Sequence, residues 1–198
     1  MPIVRHKEQR VGVLIDVQNM YHSAKNLFKA RVNFDEVVKA GVADRKLIRA
    51  IAYVVKSDVE EEKTFFDALT RLGIETKIKD LQVFYGGAKK ADWDVGITVD
   101  AVRLAPTLDV VVLVSGDGDF VPVVEYLKNQ GKQVEVLAFG ESSSGRLKET
   151  ADDFIDLSQD PSRFLIRSKR LEMQVRRQRL PRTTRESDTA EKQIRFHH

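Results

Sequence analysis

Branched apolar residues recur along the chain in short uninterrupted runs, separated by polar stretches that suit helices. The run VGVLIDV (11–17) is too short and too β-branched for a helix, and it predicts a buried strand. A polar segment from Gln18 to about Lys29 reads as helix, and LIRAIAYVV (47–55) as a second strand. DVEEEKTFFDALTRLG (58–73) predicts a helix with Asp58 as cap, acids in its first turn and Gly73 as its stop. IETKIKD (74–80) alternates as a third, more exposed strand. After the Gly- and Lys-rich stretch GGAKKADWD, a helix is expected from about Asp92 to Ala105, closed by Pro106. DVVVLVS is the fourth strand, followed by a helix over Asp119–Asn129. QVEVLAF (133–139) is the fifth strand, and a short helix near residues 144–151 leads to FIDLS. Strand and helix alternate throughout, which argues for an α/β fold with a mainly parallel sheet covered on both faces.

Composition adds the boundaries. A chain of 198 residues with 42% hydrophobic content suits one domain plus an extra segment. The expected division is a lead-in over 1–9, a domain over 10–160 and a basic tail over 161–198, helix-compatible at RFLIRSKRLEMQVRRQ and otherwise disordered. The absence of cysteine removes disulfides, thiolate nucleophiles and Cys-ligated zinc. No apolar stretch is long enough to span a membrane and the first residues carry no signal core, so the expectation is a cytoplasmic protein with no membrane partner. Charge is uneven. The net +3 contains +7 between Arg163 and His198, from eleven Lys or Arg against four Asp or Glu, leaving −4 for residues 1–162. A basic arm on an acidic body suits either a polyanion, nucleic acid first, or a merely solvated tail.

The chemistry gathers in VVVLVSGDGDFVPVV (110–124), where a buried apolar run ends in Asp117 and Asp119. In an open parallel sheet, ligands sit beyond the carboxyl ends of the strands. Asp16 ends the first strand, Asp117 and Asp119 follow the fourth, and Asp94 opens the helix after KKADWD. Each alone has a structural reading, as a helix cap or an acceptor of backbone amides. Four carboxylates in one place repel one another unless a cation holds them, and a hard divalent ion such as Mg²⁺ takes such oxygen ligands. Asp100 shares a helical face with Trp93, Ile97 and Leu104, and either joins the acids or bonds within the core. The four histidines are scattered or terminal and make no metal site. GESSSGRL (140–147) resembles a phosphate loop but has Arg146 where lysine belongs; its amides can still meet a phosphate.

Together, LIDVQNMY, KKADWDVGITVDAVRL and LVSGDGDFVPVVEYLKNQGKQVEVLAF resemble the NYN domains, relatives of the PIN nucleases, in their bacterial LabA-like group, over roughly residues 10–158. The resemblance implies a PIN-like three-layer α/β/α sandwich. It also implies a Mg²⁺- or Mn²⁺-dependent ribonuclease with catalytic, metal-holding Asp16, Asp94, Asp117 and Asp119. On that reading Asp16 and Asp117 contact the ion, Asp94 and Asp119 hold its waters or a second ion, and Asn19, Ser115 and Asp100 support them. Lys89, Lys90 and Arg146 are candidate contacts to the substrate backbone; for the lysines a solvated loop pair is the plain alternative. Single-stranded RNA is the expected substrate, with Trp93 or Tyr85 available to stack a base or simply to pack. Two rivals remain: a non-catalytic RNA-binding or regulatory module, and a phosphotransferase with Asp16 as nucleophile. The second would want an acid where Gln18 stands. Whether copies of the chain form a homo-oligomer stays open.

Overall fold

The computed structural model describes residues 3–56, 61–80, 82–83, 89–90 and 92–166, with side chains excepted at 56, 61–64, 82–83 and 89–90. The expected cap Asp58, Tyr85, the side chains of Lys89 and Lys90, and the tail from residue 167 lie outside the described residues. In chain order the elements are β1 (Arg10–Asp16), α1 (Val17–Phe28), β2 (Arg31–Val32), α2 (Phe34–Val42), β3 (Lys46–Lys56) and α3 (Glu61–Arg71). Next come β4 (Glu75–Asp80), β5 (Gln82–Val83), β6 (Lys89–Lys90), α4 (Asp94–Leu104), β7 (Val110–Val114) and α5 (Val121–Asn129). The last are β8 (Gln133–Ala138), α6 (Gly145–Thr150), β9 (Asp153–Asp156), α7 (Pro161–Phe164) and β10 (Leu165–Ile166).

Six strands form one sheet in the order β4-β3-β1-β7-β8-β9, every neighbouring pair parallel. The alternation of side chains along each strand divides the core in two. Val11, Val13 and Ile15 of β1 pack with Val112 and Val114 of β7 beneath α1, α2 and α3. Leu14, Val111 and Leu113 face the other way, against Ile97 and Ala101 of α4, Val124 and Leu127 of α5 and Leu147 of α6. The result is a three-layer α/β/α sandwich, as the alternating pattern led one to expect. Successive strands build outward from β1 to β3 and β4, and then resume on its other side at β7. The strand order therefore reverses between β1 and β7, and a crevice opens there at the carboxyl ends.

Three details depart from the pattern reading. Helix α2 and the two-residue β2 have no expected counterpart. Their signal is short but present, since Phe34, Val37 and Gly41 are buried at helical spacing and Asp35 and Glu36 occupy the first turn. The helix expected from Asp119 starts as a 3₁₀ turn over Gly118–Phe120 and becomes α-helical only at Val121. At the chain's other end, β10 pairs antiparallel with β2, and Phe164 and Leu165 are buried. Residues 161–166, which polarity assigned to the tail, thus pack with the domain, because these two apolar side chains find a place in its core.

The amino-terminal rim of the sheet is closed by charge pairing. Arg45 and Glu135, both buried, form a two-pronged pair at 2.6 and 3.0 Å. Arg5 adds a bond to Glu135 at 3.2 Å and one to Asp153 at 2.8 Å, which ties the lead-in down. Such a pair contributes little net stability, but leaving either charge unpaired in that place would be costly. The opposite rim is quite different.

Candidate functional site

Side-chain alternation alone sends Asp16 and Ser115 to the α4 side of the sheet, since each continues the set facing α4 (Leu14 on β1, Val111 and Leu113 on β7). They meet there: Ser115 Oγ donates to Asp16 Oδ2 at 3.2 Å and accepts from the Asp117 N–H at 3.3 Å. The other oxygen, Asp16 Oδ1, accepts the Asn19 N–H at 3.0 Å and so caps α1. Asn19 in turn accepts the Gly116 N–H through its side-chain oxygen at 3.0 Å, which stitches the start of α1 to the loop after β7. That loop lies tight against the next one. A methyl on Gly116 would sit 2.6 Å from Ser143 Oγ and 3.1 Å from Ser143 Cα, so only glycine fits between the two chains.

The structural alternatives for the acids can now be decided one by one. Asp117 caps the 3₁₀ turn, its Oδ1 accepting the Asp119 N–H at 3.0 Å. Asp119 therefore does not cap the following helix, whose N-cap is Phe120. Asp94 is the first residue of α4, behind an N-cap at Trp93 whose side chain makes no capping bond. Asp94, Asp117 and Asp119 each turn an oxygen toward a common point, the three atoms lying within 4.8 Å of one another. Asp16 lines the same cavity together with Asn19, Asp92, Asp94 and Asp117, in a volume of about 320 Å³.

Electrostatics record the crowding. Burial pushes the Asp94 carboxyl up, and the neighbouring charges of Asp16, Asp117, Asp92 and Asp119 add to it, bringing its pKa to about 6. Asp16 is also raised, chiefly by burial, against the opposing bonds from the Asn19 N–H and Ser115 and with a further push from Asp117. The donor set fits a hard divalent cation: carboxylate oxygens close enough to share one ion, and electrostatic stress that a positive charge would relieve.

The remaining candidates separate. Asp100 lies further along α4, where it accepts from Tyr53 Oη at 2.6 Å and pairs with Lys77 at 2.5 Å. Burial works against its charge, yet these two partners outweigh it and hold its pKa below the usual value. Of its two expected readings, the bonded core residue is the one observed. Arg146 is exposed, pairs with Glu125 at 3.3 Å, and lines a smaller hollow with Gly118, Asp119, Pro122 and Ser144. Strand β6 places the Lys89 and Lys90 backbones against β5.

One set of residues escaped the sequence reading. Gln18, His22 and Asn26 recur every four residues on α1 and line the cavity that holds the acids. Their signal was the i, i+4, i+8 spacing of three polar, hydrogen-bonding side chains directly after a strand-end aspartate.

Comparisons with known proteins agree with this architecture. The chain is 26% identical over 175 residues to the Low amplitude and bright protein LabA of Synechococcus elongatus, covering 84% of this chain and 92% of LabA. It is 26% identical over 195 residues to an uncharacterised protein of Methanocaldococcus jannaschii, covering 96% of this chain and 72% of that one. A crystal structure of a protein of unknown function from Vibrio parahaemolyticus superposes with a TM-score of 0.75 at 31% identity, over 83% of this chain and 100% of that one. No helix among the described residues is long and apolar enough to cross a membrane. The family model for the NYN domain matches residues 10–158, spanning both halves of the acidic rim, and the chain belongs to the NYN domain family.

Proposed function

We propose that this protein is a metal-dependent ribonuclease that hydrolyses phosphodiester bonds in single-stranded RNA. The observation that carries the reading is the convergence of Asp94, Asp117 and Asp119, from two separate parts of the chain, at the switch in strand order. Membership of the NYN family, relatives of the PIN nucleases, supports it. Asp94, Asp117 and Asp119 are the residues that would hold a Mg²⁺ or Mn²⁺ ion. When bound, such an ion supplies positive charge against a phosphoryl oxygen and a water acidic enough to attack near neutral pH.

The protein's own side chains do the rest. Asp16, fixed on both oxygens by Ser115 and the Asn19 amide, holds negative charge behind the three ligands and keeps the site selective for cations. Asn19 spends its carbonyl on Gly116, so its amide protons remain for a phosphate oxygen of the substrate. Arg146 stands beyond Asp119 and meets the backbone of the departing strand, with Lys89 and Lys90 as further backbone contacts. An unpaired strand suits this crevice, because the acids lie within a rim that a rigid duplex would have to straddle.

Incubation of the full chain with mixed RNA and DNA, with and without EDTA, tests the reading. Cleavage of RNA that EDTA abolishes is expected, and Asp117→Asn should lower the rate at least about a hundredfold, the upper end of the loss when a metal-supporting group is removed. Unchanged cleavage in Asp117→Asn would remove the catalytic assignment. RNA retained but never cut, with Mg²⁺ or Mn²⁺ present, would leave a binding module.

A further inference from the structure

Asp16 starts a helix whose outer face is not ordinary. From the acidic cluster outward, α1 presents Gln18, His22 and Asn26 in one row along the cavity wall. Among the described residues, no hydrogen bond is made by the Gln18 or Asn26 side chain. His22 is held edge-on by Tyr21, ring centres 5.5 Å apart, and Lys25 braces Tyr21 from above at 5.3 Å. The row therefore consists of two uncommitted amides flanking a buttressed imidazole, all facing a cavity.

The cavity also touches Trp93, at the entrance to α4. Its ring is fixed from several directions: Nε1 donates to the Val54 carbonyl at 2.9 Å, Tyr53 meets it edge-on at 5.4 Å, and Lys79 lies 5.7 Å above it. Gly96 leaves room for it, since a methyl there would come within 2.5 Å of the indole. A rigid aromatic surface and a row of amide and imidazole groups thus border one space, with the carboxylates at its end. Amides can match the donor–acceptor edge of a base, and a fixed indole offers a face or edge against which a base packs.

We infer that this cavity is a nucleobase slot, in which α1 reads one unpaired base of the RNA strand next to the phosphate held at the acidic cluster. The inference rests on the ribonuclease reading for its substrate class, and it adds the residues that set base preference. Beside its carboxylates, the slot lining contains amides and an imidazole but neither arginine nor lysine. On its N6/N7 edge adenine pairs with an amide side chain in two-point fashion, whereas the double-acceptor edge of guanine finds no guanidinium or ammonium along this row.

Trp93 is the only tryptophan in the chain, so its fluorescence reports directly on this space. The test uses the full-length Asp117→Asn protein and four ribotetranucleotides that differ in one internal base. Saturable quenching is expected, tightest for adenine and weaker by about tenfold for guanine, the scale of one two-point base contact. Gln18→Ala and Asn26→Ala should bring the four affinities to within about twofold of one another, while quenching at saturation persists. Quenching that is absent, that favours guanine, or whose base preference survives both substitutions overturns the slot. Because no bond is cut, this outcome is independent of catalysis: a protein that selects bases here yet never cleaves would sink the nuclease reading and leave the slot intact.

Discussion

Among the carboxylates at the rim, Asp94 bears the heaviest load: it is half-buried and four other aspartates press on its charge. Its folded pKa, about 6, exceeds the ordinary 3.8, so the folded state binds its proton more tightly than the unfolded chain does. The corresponding stability is fully present below about pH 4 and is lost as pH rises through 6. Asp94→Asn should therefore stabilise the metal-free protein at pH 7 by about 1 kcal/mol, after allowance for solvent screening of a partly exposed group. Thermal melts in EDTA should show the gap between variant and wild type closing as pH falls toward 4. A gap of constant size across that range would mean the acids do not repel as the geometry requires. At the same scale, the sequence made the aspartates visible as candidates but left every capping alternative open. Only the bond of Asp117 to the Asp119 amide, and the lack of any side-chain cap on α4, showed that Asp117 caps a turn while Asp94 and Asp119 cap no helix.

Helix α4 shows how one element serves two purposes. Its first residue supplies Asp94, and one and a half turns later Asp100 anchors it to Tyr53 and Lys77. Between them Gly96 admits the indole of Trp93. Gly96→Ala sets two effects against each other. Alanine favours a helix interior by about 1 kcal/mol, whereas a methyl 2.5 Å from a fixed ring costs about 1–3 kcal/mol in strain. The ring is pinned by its hydrogen bond and by Tyr53, so strain should win: urea denaturation would report a small net loss of stability, with a shifted tryptophan emission maximum. Stabilisation with unchanged emission would show that the indole yields freely. The helix itself was legible from periodicity to within two residues, yet the same pattern could not tell Asp100 from Asp94. Both are acids on one apolar helix, and what distinguishes them is the presence of Lys77 and Tyr53 on β4 and β3.

On the scale of the molecule, charge is divided between an acidic domain and a basic extension. Residues 167–198 hold ten Lys or Arg against four Asp or Glu. If they contact RNA phosphates, removing them should weaken binding about tenfold or more at low salt and flatten the salt dependence, because each phosphate contact releases counterions. Filter binding at several salt concentrations, using the Asp117→Asn protein, measures both. Equal slopes with and without the tail would remove it from the account. The domain boundary is a related lesson: polarity placed it at 160, but Phe164 and Leu165 carry the packed unit to Ile166.

What the sequence determined by itself was the layer architecture, since strands buried on both faces and helices with one apolar face admit few arrangements, and the identity of the acids that end strands or begin helices. It could not decide which acids share a point in space, because α4 and the loop after β7 are brought into contact by a sheet whose strand order no local pattern encodes. The row on α1 depended on the same fact. Three polar residues at helical spacing are an ordinary solvated face until the fold sets a fixed indole and a group of carboxylates across from them.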